Sequence, residues 1–294
     1  MSATTTSTTT SIAAADFARA WEDWHEAHEQ RRADPHGFLA VTGLYWLSDE
    51  PAAIAGIPGR WSTGPGGPHV DLAVGEQLTV GGATVTRRHS FGPIDERDGV
   101  VVAFDDGVIE VARRGGRDIV RPRRPDQPFL AEYEGTPAYE PDPSWRIDAR
   151  YVPFARPRPF EVGAAVDGLS HVYDAPGVIE FEVGGQTRRL VAFPGHGPES
   201  LLVLFTDRTS GVTTYAANRS VLVAAPDAGD RENRVVLDFN RAVNLPCAYT
   251  DFATCPLPPA ENRLPFAVEA GERLPLARVE GVATDAGIVP APGR

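Results

Sequence analysis

Residues 178–193 read VIEFEVGGQTRRLVAF. Successive side chains of an extended strand point to opposite faces, so Ile179, Phe181 and Val183 share one side and Glu180 and Glu182 the other. Gly184-Gly185 then supplies a two-residue reversal, which needs the positive φ that glycine adopts most readily. An apolar return strand follows, and the stretch reads as a β-hairpin. The same form recurs on both sides of it. Residues 70–88 (VDLAVGEQLTVGGATVTRR) and 100–122 (VVVAFDDGVIEVARRGGRDIVRP) carry short β-rich runs, the second with a turn expected at Asp106-Gly107. Residues 200–225 form another pair around Thr209-Ser210-Gly211, and RVVLDF at 234–239 adds a strand. Helical crossovers, which parallel strands require, are absent between these runs. The expected fold is therefore mainly β, an antiparallel β-sandwich or barrel-like body with one N-terminal α-helix packed outside.

That helix is expected over 12–35. Phe17, Trp21, Trp24 and His28 recur at helical spacing as an aromatic stripe, and Pro35 stops the chain from continuing as helix. Ahead of it, the Ser/Thr-rich residues 1–11 are expected to be a disordered tail. The β-rich domain is expected over 36–284, with a sub-sheet boundary near the proline-rich stretch 121–143, and residues 285–294 are expected to be a flexible tail.

The chain has 294 residues and a formal net charge of −12, and its 28 basic residues are all arginine. Nucleic acids and anionic membrane surfaces are bound through dense positive charge, so neither is an expected partner. The lack of lysine excludes a Schiff base, a P-loop lysine and a Ser-x-x-Lys nucleophile. No cofactor is expected. The N-terminus lacks the basic start and apolar run of a secretory signal, and no stretch is long and apolar enough to span a membrane. A cytoplasmic location is expected, where Cys247 and Cys255 would be reduced thiols.

Several motifs invite chemistry and fall short of it. In EDWHEAHE (22–29), Glu22, His25 and His28 step by three like half of a di-metal carboxylate site. The other half would come from partner helices that a β-rich chain lacks. His-Glu-x-x-His spacing is missed by one residue, so a solvated helix face and no metal are expected. GPGGPH (64–69) lacks a following helix to hold phosphate, and no Gly-x-Ser-x-Gly elbow occurs. The arginine runs 121–124 and 156–158 suit anions or internal carboxylates. His89, His171 and His196 have the proton affinity of a general base but no visible partner.

The strongest candidate region is DFNRAVNLPCAYTDFATCPLPPAENRLP (238–265), which holds both cysteines and five prolines. Phe239, Tyr249 and Phe252 make it too apolar for a linker. It is expected to pack on the β body as a pocket wall. Asp238, Asn240 and Asn244 are suited to capping turns, and Arg241 and Arg263 to clamping carboxylates. Two functions follow. In a small-molecule-binding protein, Tyr215, Arg219, Asn240, Arg241, Asn244, Asn262 and Arg263 would contact the ligand, with the thiols of Cys247 and Cys255 nearby. In a hydrolase-type enzyme, Asp238 would be the general base, with Arg219 or Arg241 stabilising negative charge. That role needs a histidine or second carboxylate within reach of Asp238. A third reading is a non-catalytic interaction or structural protein that docks a partner through Phe17, Trp21 and Trp24.

The string 238–273, together with RADPHGFLAVTGLYWL (32–47) and LFTDRTSGVTTYAANRSVLV (204–223), resembles the bacterial family of domain of unknown function 1684. The Cys-Pro-Leu-Pro-Pro string followed by Asn-Arg-Leu is its most specific part. Leu245 stands where the family pattern usually has a proline. The resemblance implies no catalytic role. It marks Asp207, Thr209, Tyr215, Arg219, Asp238, Asn240, Asn244, Cys247, Cys255, Asn262 and Arg263 as motif positions.

Overall fold

The computed structural model describes residues 5–195, 197 and 199–291, with side chains from Ala15 onward. The chain divides into two compact units. Unit 1 comprises Met1–Gln30, Gly135–Ala248 and Cys255–Leu276, and unit 2 comprises Arg31–Glu134, Tyr249–Thr254 and Ala277–Arg294.

Unit 1 is built on a six-stranded antiparallel sheet. Its strands run in the order Arg219–Ala224, Ser200–Phe205, Gln186–Pro194, Ser170–Val183, Arg146–Gly163, Arg234–Asp238. The two outermost strands lie beside each other, so the sheet nearly closes into a barrel. The hairpin at 178–193 has the expected register, Ile179 opposite Leu190 and Val183 opposite Gln186. Gly184 and Gly185 both take positive φ, 57° and 71°, which a two-residue turn of this twist requires. Ile179, Phe181, Leu190 and Ala192 enter the interior with Val203, Phe205, Val221, Leu237 and Phe239. Burying such side chains contributes roughly 1.5–3 kcal/mol each. Val191 and Phe193 face the other way into a smaller cluster with Ala175 and Leu204, and therefore LVAF is buried on both faces.

The N-terminal helix spans Thr5–Arg32. Its start falls inside the stretch expected to be a tail, of which residues 1–4 lie outside the described residues. Helix-forming alanines at 13–15 are preceded by a Ser/Thr run that continues the same turn. Trp21 Nε1 donates to Asn240 O at 2.6 Å, which ties the helix to unit 1.

Unit 2 contains an eight-stranded antiparallel sheet and a four-stranded one that share a core. Trp61 and Val70 from the smaller sheet, with Ile54 just past its Ala52–Ala53 strand, pack with Val102, Phe104, Ile109, Val111 and Val120 from the larger. The turn expected at Asp106-Gly107 sits one residue earlier. Phe104 pairs Gly107, and Asp105 adopts φ +42°, a conformation that Asp tolerates better than most residues. Residues from 285, expected as a flexible tail, instead supply the strand Gly287–Pro290. This strand pairs both Gly281–Thr284 and Leu44–Trp46 and buries Ile288. The sequence signal was hidden because the pairing partner is 244 residues away, Ile288 against Leu44. Among the described residues, no helix is long and apolar enough to cross a membrane.

Candidate functional site

Proline prevents residues 238–265 from joining the sheet as a strand, and its backbone is satisfied by short 3-10 turns and by side chains. The turns are Phe239–Arg241, Pro246–Ala248 and Ala260–Asn262. The expected packing holds: Phe239, Tyr249 and Phe252 are fully buried, Phe239 in unit 1 and the other two in unit 2.

Asp238, the expected general base, caps the first turn. Its Oδ1 accepts from Asn240 N at 3.1 Å and from Asn240 Nδ2 at 3.0 Å, and Oδ2 lies 3.7 Å from Arg241 Nε. Among the described residues, no histidine or second carboxylate hydrogen-bonds it. Asn240 is also spent on the chain. Its Oδ1 accepts from Asp142 N at 2.8 Å and its Nδ2 donates to Asp142 O at 2.9 Å.

Asn262 closes a gap in the barrel. The strands Gln186–Pro194 and Ser200–Phe205 pair only at Phe193–Leu202 and Pro194–Leu201, which leaves backbone groups open further along. Asn262, fully buried, accepts from Val191 N at 2.7 Å and donates to Val191 O at 2.9 Å and to Leu204 O at 2.7 Å. A carboxamide can make all these bonds at once, since it carries two N–H donors and a two-lone-pair oxygen.

Arg219 is 1% exposed and likewise structural. It donates to Asp207 Oδ2 at 2.7 Å and to the carbonyls of Val268, Ala270 and Glu272 at 2.9, 2.5 and 3.2 Å. Burial pushes its guanidinium down from the usual arginine range, and the Asp207 carboxylate opposes that. Asp207 in turn accepts from Thr209 N and Oγ1, both at 2.5 Å. Asn244 N donates to Glu272 Oε2 at 2.7 Å and its Nδ2 to Arg273 O at 2.7 Å. Arg241 and Arg263 are exposed, Arg241 with its guanidinium 5.3 Å from the Trp24 ring.

What the fold does bring together is a thiol pair. The turn at Pro246–Ala248 places Cys247 N within 3.3 Å of Cys255 Sγ, and Cys247 Sγ contacts Asn218 Oδ1 at 3.6 Å. Both cysteines are reduced, Cys247 2% and Cys255 8% exposed. Hydrogen bonding from Cys255 holds the Cys247 thiol below the usual cysteine range. Burial opposes this, and Tyr215 adds to it. Asn218 helps only with its N–H side turned to the sulfur. In the orientation described, its Oδ1 accepts from Sγ while Nδ2 donates to Pro256 O at 2.8 Å. Tyr215 is half-buried beside the pair.

Unit 1 also has a surface groove of about 490 Å³ between Arg150, Tyr151, Val152 and Pro153 on one side and Arg231, Glu232, Asn233 and Arg234 on the other. None of the residues expected to bind a ligand lines it. His196 lies outside the described residues. His171 is buried on the strand Ser170–Val183, with its ring 6.0 Å from that of Tyr173.

The model of the family described as a protein of unknown function, DUF1684, matches residues 131–273. The chain belongs to the DUF1684 family. An uncharacterised protein from gene locus rrnAC0354 of Haloarcula marismortui, solved by solution NMR, is 31% identical to it. That similarity covers 49% of this chain and 78% of the other, with a TM-score of 0.41. No curated protein matches the chain. The DUF1684 match holds every residue of the thiol pair, the Asp207–Arg219 pair and the Asn262 clamp. The string 32–47, which also carried the resemblance, falls outside it. Sequence reasoning named Tyr215, Cys247 and Cys255 within the DUF1684 region but passed over Asn218 and Glu272. Asn218 directly precedes the strand Arg219–Ala224, and a carboxamide at the mouth of an apolar strand is the signal that was there to read.

Proposed function

We propose that this DUF1684 chain binds a small molecule at Cys247, Cys255, Tyr215 and Asn218. The observation that carries the reading is the Cys247 thiol, buried yet held toward its thiolate form by neighbouring hydrogen bonds. Two sulfurs, a phenol and a carboxamide in one place suit a small, polarisable or electrophilic ligand, because a thiolate is the strongest nucleophile among them. Of the four, Tyr215 is half-buried, and Cys247, Cys255 and Asn218 are buried.

The hydrolase alternative draws no support from Asp238, whose carboxylate is spent on Asn240. The interaction reading draws less support from Trp21, which is bonded to Asn240, and from Trp24, whose ring lies 5.3 Å from the Arg241 guanidinium.

Alkylation by iodoacetamide as a function of pH, read for each cysteine by mass spectrometry, tests the proposal. Cys247 is expected to react in the folded protein, with a midpoint below the ordinary thiol value of about 8.5. Tyr215→Phe should raise that midpoint. Two thiols that react only after unfolding would sink the idea.

A further inference from the structure

The chain leaves unit 1 after Ala248 and returns to it at Cys255. One thiol sits at the exit and the other at the return, and each is fixed by the backbone of unit 1. The turn that carries Cys247 is closed by Ala248 N, which donates to Leu245 O at 2.9 Å. Cys255 O accepts from Ala165 N at 2.8 Å, and Leu257 N donates to Gly163 O at 2.8 Å. The return therefore runs beside the end of the strand Arg146–Gly163. Held in this way, Cys247 N donates to Cys255 Sγ at 3.3 Å, and Cys255 hydrogen-bonds the Cys247 thiol in turn.

Cysteines buried among apolar side chains are inert. These two have polar neighbours instead: the Cys247 amide on one sulfur, and Asn218 and the Tyr215 hydroxyl on the other. The amide occupies a lone pair of the Cys255 sulfur, which turns the Cys255 S–H toward Cys247. That geometry divides the roles, with Cys247 as the nucleophilic sulfur and Cys255 as the one that keeps its proton until the second step. Metal ligation does not account for the pair. Among the described residues, no histidine or carboxylate joins the two sulfurs in a cluster of three close donors, and structural zinc takes four ligands. Burial also selects what can react. Cys247 is 2% and Cys255 8% exposed, so a reagent of a few atoms suits the site better than a peptide disulfide.

We infer that Cys247 and Cys255 are a redox pair that reduces a small hydroperoxide and closes into an intramolecular disulfide. The inference rests on the thiol reading above and names the chemical class of its ligand. The Cys247 thiolate attacks one peroxide oxygen, so that an S–O bond forms and the O–O bond breaks. The other oxygen leaves with the proton that Cys247 gave up, as water or an alcohol. Cys255 then attacks the sulfenic sulfur of Cys247, so that the S–S bond forms and the S–O bond breaks. That oxygen leaves as water with the Cys255 proton. The two thiols lose two electrons and the peroxide gains them.

Treating the reduced full chain with stoichiometric hydrogen peroxide, then labelling the remaining thiols after denaturation, tests the inference. Mass spectrometry should show loss of two hydrogens, loss of both labels and a Cys247–Cys255 linked peptide within one chain, all reversed by dithiothreitol. Cys255→Ser should form no disulfide and leave Cys247 as a sulfenic acid that dimedone captures. Should the serine variant fail to fold, Cys255→Ala carries the same expectation. Glutathione disulfide at the same concentration should leave both thiols intact. Thiols that iodoacetamide alkylates in the folded protein, but that peroxide leaves untouched or joins between two chains, would overturn the redox pair and leave the binding reading standing. Oxidation by glutathione disulfide as fast as by peroxide would also overturn it. Thiols inert to alkylation and to peroxide alike would remove both readings together.

Discussion

In unit 1 a single guanidinium, Arg219, faces a single carboxylate, Asp207, and the two side chains are 1% and 0% exposed. In unit 2 one carboxylate, Glu110, faces Arg114, Arg121 and Arg123, which remain 16%, 13% and 23% exposed. The difference follows from what surrounds each centre. Glu110 and Arg121 are directly opposite on paired strands, on the sheet face away from Ile109, Val111 and Val120. Backbone groups of the sheet there are satisfied mostly by the ladder, so the arginines serve chiefly the carboxylate, with Arg114 also donating to Asp98 O and Arg113 O and Arg123 to His36 O, and surplus charge reaches water. Arg219 sits where residues 268–272 run without a ladder, and it donates to three of their carbonyls as well as to Asp207. One centre is an ion cluster on a finished sheet, and the other is a clamp that replaces a sheet.

Removing the clamp should be the costliest change. Arg219→Met leaves Asp207 buried without a counter-charge and three carbonyls without a donor, which costs about 3–5 kcal/mol. Urea denaturation reads this directly. The double variant Arg219→Met with Asp207→Asn should recover only part of the loss, because the carbonyls stay unpaired. Arg121→Met in unit 2 should cost far less, since Arg114 and Arg123 still hold Glu110. Equal losses at the two arginines would erase the distinction.

The Glu110 centre has its own signature in acid. Burial would raise its carboxyl, but Arg121 and Arg123, with Arg114 behind them, bring it down to about 2. A folded-state value below the unfolded one means stability that is complete above the unfolded value of 4.5 and fades as pH falls toward about 2. The amount is on the order of 3 kcal/mol. Glu110→Gln should therefore lower stability at neutral pH and flatten the acid limb between those values. An acid limb of unchanged slope would show that other carboxylates set it.

These two centres also mark how far the sequence could be read. The hairpins were legible because alternation and Gly-Gly turns are local, as 178–193 shows. The arginine run at 121–124 was readable as carboxylate-paired for the same reason, its partner lying on the adjoining strand. Arg219 was legible as important but not as structural: its partners, Val268, Ala270 and Glu272, are about fifty residues away and are backbone carbonyls with no sequence signature. Asn262 misled likewise, since a splayed strand pair cannot be seen in composition. The helix motif at 22–29 gave no sign of its buried carboxylate neighbour, because Glu272, whose Oε1 lies 3.7 Å from His28 Nε2, is more than 240 residues away in sequence.

Asp238 is the third carboxylate on this scale, and the mildest. Its side chain is 15% exposed, its nearest guanidinium is the half-exposed Arg241 at 3.7 Å, and its firm bonds go to Asn240. Such a residue acts as a turn cap. Asp238→Ala should cost about 1 kcal/mol, while Asp238→Asn, an equally good cap, should change stability by a few tenths at most. Neither should move the alkylation midpoint of Cys247. A hydrolytic activity that vanished in a fully folded Asp238→Asn protein would instead return Asp238 to the role of a base, because asparagine preserves the cap but cannot accept a proton.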